Sequence, residues 1–359
     1  MAKSTWLLVL TCFLLPLSAF AQDDPPMEEE GEEEFVDYSS FEQTAENKAY
    51  CSSRIIGQAP IKLFSLGYDV QGAHSLDVPY PNNPDEGSTY DINSAHGERF
   101  ALNYPVFSKN NLLVNLGLNY AATRYTFDEP ATSTTNPLVQ SLDNNGLRTM
   151  GFTATVFKPL NSKFFILGQL GANLNGDYNI SSVQSLEYTR YTGAAIFGIK
   201  KNERKMWGFG LSRTYLGGAL NYVPVYYMLY TAENKKWGVE MLLPARFDYR
   251  RNINAKNILK LGWEIEGNTY RISNDEDIYR LPHNDIELRR SELRFRASWD
   301  YAITPQIALS AQVGYRYNYS FDVDRGDFVR LFGDDTPYLI ETTLSNPPYV
   351  GISLNWVSP

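Results

Sequence analysis

The chain has only two cysteines in 359 residues, and one of them, Cys12, lies inside the apolar stretch at the N-terminus. With that stretch removed Cys51 stands alone, which excludes an internal disulfide, a cysteine metal cluster and a dithiol redox motif. Long apolar runs are missing too. After residue 21 no uninterrupted apolar segment reaches 18 residues, so no transmembrane helix is available. The other way through a bilayer is a closed barrel, whose strands satisfy one another's backbone groups. Histidine is scarce, with three in the chain. There is no basic excess: the formal net charge is −9, fed largely by Glu28-Glu29-Glu30-Gly31-Glu32-Glu33-Glu34. A run of this kind has almost nothing to bury and reads as a solvated, disordered tail. The charge balance argues against nucleic acid as a partner.

The N-terminus reads as an export signal. Lys3 precedes the apolar stretch 6–17, and Ala19-Phe20-Ala21 is the small-residue pattern of a cleavage site. Cys12 is not read as a lipoprotein cysteine, because Val9-Leu10-Thr11 is a poor lead-in and the apolar run continues past it. The expected organisation is a signal peptide at 1–21, an acidic disordered periplasmic leader at 22–58 and an outer-membrane barrel at 59–359.

From residue 60 onward apolar and polar side chains alternate between turn signals. The longest case runs from Ile307 through Leu309, Ala311, Val313, Tyr315, Tyr317 and Tyr319 to Phe321, against Ser310, Gln312, Gly314, Arg316, Asn318 and Ser320. Successive strand side chains point to opposite faces, and this strand exceeds the roughly 9–11 residues needed to cross a bilayer at a tilt. Shorter versions recur at 64–70, 100–106, 112–120, 150–156, 237–243 and 293–301. A mean hydropathy of −0.34 fits strands that are half apolar. The aromatic content of 14%, with 25 tyrosines, fits the girdles of membrane barrels. A large secreted β-sandwich shares several of these traits, so the repetition of long alternating segments carries the assignment.

Short polar turns at 108–111, 159–163, 200–205, 231–236, 252–257 and 303–305 read as periplasmic. Longer polar loops at 73–95, 128–145, 175–185, 273–286 and 323–346 read as extracellular. With both termini periplasmic the strand number must be even. Treating 236–251 as one crossing gives 13, whereas a break at Leu243-Pro244-Ala245, where proline removes a ladder donor, gives 14. The fold class is therefore all-β, a transmembrane antiparallel β-barrel of about 14 strands, with 12 as the competing count. Phe107, Phe157, Phe164, Trp207, Tyr230, Trp237, Tyr301 and Trp356 lie beside the inner turns or the C-terminus, where an interfacial girdle belongs. The closing segment, with Val350, Ile352, Leu354 and Trp356 on one face, resembles the terminal strand that the barrel assembly machinery recognises, although Val357-Ser358-Pro359 follows it. Outer-membrane lipid and lipopolysaccharide are the expected surroundings.

Chemistry is harder to find. A barrel enzyme acting on lipid needs a Ser–His pair with an orienting group. His74 and Ser75 are neighbours that point apart on an extended chain, and His96 and His283 read as loop residues. Asp322, Asp324 and Asp327 around Gly326 faintly resemble a calcium loop, but no glutamate closes it; Asp334 and Asp335 add acid to the same loop. No catalytic residue, metal site or cofactor is assigned.

The lumen is more informative. With the apolar face toward lipid, early strands turn Ser65, Ala101, Asn103, Asn115, Gly117, Asn119, Thr153 and Thr155 inward. Late strands turn in Glu240, Arg246, Asp248, Arg250, Lys260, Glu264, Glu266, Glu292, Arg294, Arg296, Asp300 and Arg316. An arginine or lysine facing lipid at the midplane costs about 2–4 kcal/mol, so inward is the expected direction. Six bases balance six acids. A filter for one ion sign shows an excess of charge, so the set reads first as a self-neutralising wall network and second as a solute-binding constriction, one able to orient a zwitterionic or sugar-like solute.

The stretches Tyr222-Val223-Pro224-Val225-Tyr226-Tyr227, Lys236-Trp237-Gly238-Val239-Glu240-Met241-Leu242-Leu243-Pro244-Ala245 and Phe247-Asp248-Tyr249-Arg250 resemble a family of Bacteroidota outer-membrane β-barrels of unknown function. The resemblance covers most of the mature chain. It implies fold and outer-membrane location, and transfers no catalytic or binding residue. The expected function is a narrow channel or transport barrel for a small polar solute, with the leader partly plugging the lumen. The alternatives are a structural or interaction barrel filled by its own charges and displaying its loops, and a lipid-modifying barrel enzyme.

Overall fold

The computed structural model describes residues 49–80, 83–129, 136–178, 189–215, 220–273, 285–325 and 337–358. The expected signal segment and the glutamate run lie outside them, as do His283, Asp327, Asp334 and Asp335. The elements are β1 (Lys62–Gln71), β2 (His74–Tyr80), β3 (Asn83–Lys109), β4 (Leu112–Phe127), α1 (Pro137–Asn144), β5 (Leu147–Pro159), β6 (Phe164–Gly176), β7 (Thr189–Asn202) and β8 (Lys205–Thr214). They continue with β9 (Asn221–Thr231), β10 (Trp237–Leu243), β11 (Arg246–Asn254), β12 (Asn257–Ser273), β13 (Asp285–Ala302), β14 (Ile307–Arg325), β15 (Thr343–Leu344) and β16 (Pro348–Val357).

From β2 to β14 each strand pairs antiparallel with the next, β14 pairs with β16, and β1 sits between β16 and β3, which closes the sheet. β2 continues β1 past Gly72 along β3, and β15 leads into β16. Counted as crossings, β1 with β2, β3 to β14, and β15 with β16 make a closed barrel of 14 strands. The break at 243–245 decides the count: β10 ends at Leu243, β11 starts at Arg246, and Ala245 O accepts from Ile265 N at 2.8 Å.

The outer face is apolar along every wall segment. Tyr104, Leu118, Phe152, Leu170, Phe197, Phe209, Tyr222, Leu261, Val313 and Trp356 are all exposed, a surface too large and continuous to face water. Near the inner turns aromatic rings meet across strands: Phe164 with Phe197 at 5.7 Å, Tyr230 with Trp237 at 5.5 Å, and Trp237 with Tyr249 at 6.0 Å. Phe157 corrects the expected girdle. It points into the lumen and stacks on Phe165 at 5.1 Å.

The outer end carries the second correction. Segments expected as polar loops at 73–95 and 128–145 hold β2, the start of β3 and a buried helix. Here the inward face turns apolar. Leu76, Val78, Ile92, Tyr125, Phe127, Leu138, Val139, Leu142, Tyr270, Ile272, Ile286, Leu288, Phe321, Val323, Ile340 and Leu344 form one buried core. Phe321, expected to face lipid, belongs to it because of a bulge. Ser291 pairs with Ser320 and Glu292 with Asn318, so Tyr319 is an extra residue that flips the faces of β14 beyond it.

The helix α1 is set by its ends. Asn136 Oδ1 accepts from Leu138 N at 3.0 Å and from Val139 N at 3.4 Å, and Pro137 opens the first turn. Gly146, at φ 67°, ends the turn with its N–H on Ser141 O at 3.0 Å. A Cβ there would lie 2.3 Å from Thr123 O, so both the left-handed backbone and the close approach require glycine. Because Leu142 is fully buried, Leu142→Ala is expected to cost about 2–5 kcal/mol in urea unfolding of the refolded barrel. A change under 0.5 kcal/mol would show that the core does not support the wall.

Candidate functional site

The lumen is stacked in three levels. The inner end is closed by a strap, residues 49–58, that falls within the expected leader. Cys51 and Ile55 are buried against Phe157, Phe165, Met206 and Leu229. Backbone bonds tie Cys51 N to Asn161 O at 3.0 Å and Ile56 N to Glu203 O at 2.8 Å. Lys200, almost wholly buried, donates to Ser52 Oγ and, at 3.0 Å, to Arg54 O, and it pairs with Glu203 at 2.9 Å. Gly57, at φ 75°, turns the strap where Asn252 Nδ2 donates to its carbonyl at 3.1 Å. Burial pushes the Cys51 thiol up, with Lys200 opposing. Burial lowers the Arg54 guanidinium, with Glu240 opposing. The strap has no periodicity because it is irregular chain bonded to the wall, so pattern reading passes over it.

The outer end is narrowed by the apolar core and by a contact across the mouth. Five strands, β7 to β11, separate β6 from β12 along the wall. Yet Arg271 pairs with Gly176 in parallel fashion, Asp177 N donates to Arg271 O at 3.1 Å, and Asn175 Nδ2 donates to Thr269 O at 3.2 Å.

Between these ends lies a cavity of about 780 Å³. One side presents hydroxyls and amides, among them Asn119, Thr149, Thr155, Gln169, Asn173, Thr192 and Ser212; the other presents Arg99, Arg246, Glu266, Arg290 and Arg294.

Eleven of the twelve expected lumen charges enter ion pairs. Arg316 bridges Asp69 at 2.6 Å and Glu292 at 3.3 Å, with Tyr349 beneath its guanidinium at 4.9 Å. Glu292 also takes Arg290 at 2.9 Å and Arg294. Arg294 reaches Glu266 at 2.6 Å and Glu264 at 3.7 Å. Arg296 joins Glu264 to Asp248, the latter at 3.0 Å. Lys260 holds Asp300 at 3.1 Å, and Arg250 holds Glu240 at 3.0 Å and Thr231 Oγ1 at 2.9 Å. Arg246 is the exception. It is exposed toward the cavity, and no carboxylate among the described residues pairs with it.

The pattern reading missed Lys62, Asp69, Arg99 and Arg290. Asp69 and Arg99 correct the expectation that early strands are neutral inside. They pair at 2.8 Å, and closure brings both beside the late strands. Alternation with Val70 and Phe100 was the available signal. With these four added the set holds nine bases and seven acids, so the wall leans positive.

The wall also has a gap. The last β9–β10 pair is Tyr226 with Leu243, and the first β11–β12 pair is Arg246 with Glu264. Asn221–Val225 and Ile265–Asn268 therefore face each other over the β10–β11 turn with no strand between them among the described residues. Leu242, Leu243, Pro244 and Ala245 form the sill of the gap, and all four line the cavity.

The other expected candidates disperse. His74 Nδ1 lies 2.8 Å from Gly72 O, while Ser75 Oγ donates to Ser345 Oγ at 3.3 Å. His96 lies with its ring 6.2 Å from that of Tyr68. Asp324 accepts from Arg289 Nε at 3.0 Å, and Asp322 accepts from Ser320 Oγ at 2.7 Å.

Fold and site together define a membrane-spanning β-barrel whose lumen holds a charged chamber between a strap at one end and an apolar core at the other. The family model "Domain of unknown function (DUF6268)" matches residues 134–357, and the chain belongs to that family. No curated protein matches it. Among solved structures it is similar to an outer membrane channel from Pseudomonas putida F1, at 9% identity over 88% of this chain and 100% of that one, with a TM-score of 0.38. It is also similar to a Pseudomonas aeruginosa FadL homologue, at 10% identity over 83% and 91%, TM-score 0.39. The P. putida toluene transporter TodX follows at 11% identity over 86% and 93%, TM-score 0.36. Likeness at this level leaves the solute to the chain's own residues.

Proposed function

We propose that the protein is an outer-membrane transport barrel that takes a small solute with a polar group into a gated central chamber. On this reading the chain is exported with a cleaved signal peptide, inserted by the barrel assembly machinery, and surrounded by lipid and lipopolysaccharide. The observation that carries the reading is the chamber of about 780 Å³ between two closures of different kinds. The outer closure is built of strand extensions and a helix, continuous with the wall. The inner one is a ten-residue irregular strap held by a few hydrogen bonds and two apolar side chains, so it is the easier to displace. The volume lies within the range of small-molecule sites, roughly 300–1,000 Å³.

Planar-bilayer recordings of the refolded chain, with and without residues 22–58, test the reading. The full chain is expected to be closed for most of the record. The truncated chain is expected to conduct in discrete steps.

The ion-pair wall favours a second reading, a structural barrel stabilised by its own charges. It predicts that both forms stay silent in the same recordings. Silence in both, with heat-modifiable mobility confirming folded barrels, would replace the first reading with the second.

A further inference from the structure

One stretch of the chamber breaks its polar pattern. Leu167 pairs across strands with Ile196, Ile196 with Gly210, and Gly210 with Val225, which stands at the edge of the wall gap. In the next row Tyr227 pairs with Leu242, and Leu242 with Arg246. The register therefore assembles an apolar patch from Leu167, Ile196, Val225, Tyr227 and Leu242, just inside the gap and ending on the guanidinium of Arg246, which has no ion-pair partner among the described residues. Ile196 and Val225 are already buried by their neighbours, while Leu167, Tyr227 and Leu242 are half-buried and line the cavity, leaving apolar surface that an apolar ligand chain would cover. A guanidinium without a carboxylate among the described residues, in a wall where each of the other five expected bases has one, is a vacant anion partner.

We infer that the chamber binds an amphiphilic acid: a single anionic group at Arg246 with an apolar chain along the Leu167–Leu242 patch, entering over the sill of the β10–β11 turn. The inference rests on the transport reading and narrows its solute. A purely hydrophilic acid would leave the patch uncovered. A neutral hydrocarbon would cover the patch and strip water from Arg246 without replacing it. The gap lies in the wall between strands with apolar outer faces, Tyr222 on β9 and Leu261 on β12 among them. A molecule partitioned into the surrounding bilayer therefore meets the apolar sill first and the cation behind it. Neither end closure need open for loading.

The test uses the full chain in amphipol and equilibrium binding of radiolabelled dodecanoate, with dodecanol and hexanoate as companion probes. Dodecanoate is expected to bind more tightly than either. Arg246→Gln should weaken dodecanoate by roughly tenfold to a hundredfold, the range of a lost charge-assisted hydrogen bond, and leave dodecanol unchanged. Leu242→Asn should weaken both long-chain probes, and Ala245→Trp, which obstructs the sill, should slow dodecanoate association without changing mobility on heating. Equal binding of hexanoate and dodecanoate, or no effect of Arg246→Gln, would overturn the inference. Conductance of the truncated chain measured beside it separates the two claims. Conductance without dodecanoate binding leaves the transport reading standing and removes this one. Binding without conductance does the reverse.

Discussion

Glu292→Gln is expected to lower the stability of the barrel by about 3–5 kcal/mol, the cost of removing one partner from a buried ion pair. Glu292 is almost wholly buried and faces three guanidiniums, those of Arg290, Arg294 and Arg316. The amide keeps the shape and loses the charge, leaving three dehydrated cations with only part of their compensation. Arg316 retains Asp69, and Arg294 retains Glu266, which limits the damage to the middle of the cluster. Arg246→Gln, two strands away and without a carboxylate, is the internal control and should stay within about 0.5 kcal/mol. Urea unfolding in lipid vesicles, followed by tryptophan emission, gives both values. If the two variants prove equally stable, the cluster is not what holds this wall, and its charges would have to be explained by the solute.

That cluster also shows where pattern reading stops. Strand alternation identified the inward face of β13 and β14, so Glu292, Arg294, Arg296 and Arg316 were legible. Pro244 marked the short hairpin, and with it the even strand count. What alternation cannot supply is the neighbour across the closure. Asp69 and Arg316 are 247 residues apart, and only the pairing of β1 with β16 and of β16 with β14 brings them together. It cannot supply a bulge either. One extra residue at Tyr319 moves Phe321 from the lipid face to the buried core while the sequence pattern runs on undisturbed. At the outer end the same apolar period serves an internal core, because strands that rise past the bilayer still need a dry partner and find it in α1 and in one another. Alternation places Arg246 inward with the rest. Its distinction, the lack of an ion-pair partner among the described residues, depends on Arg296 and Arg294 taking Glu264, the residue opposite it.

The strap yields the second large effect. Ile55→Glu is expected to release residues 49–58 from the inner mouth, and maleimide labelling of Cys51 reports it without any added cysteine. Docked, the Cys51 thiol is buried and its pKa is raised by that burial, so reagent access and thiolate fraction are both low. A thiol with a raised pKa holds less thiolate at pH 7.5 than a free one. Release returns it toward about 8.5, the ordinary cysteine value, and exposes it to reagent. Replacing Ile55 removes roughly 1.5–3 kcal/mol of side-chain burial and places a carboxylate among Phe157, Phe165, Met206 and Leu229, where no cation of the cluster pairs with it. Since about 1.4 kcal/mol is a factor of ten, labelling should accelerate more than tenfold. Ser52→Ala, which removes only one bond to Lys200, should shift it by a smaller factor. An unchanged rate would mean that the main-chain bonds to Asn161 and Glu203 hold the strap without its apolar anchor. Fast labelling in a barrel that still fails to conduct would move the axial barrier from the strap to the apolar core at the outer mouth, and would leave the gap beside Arg246 as the way into the chamber.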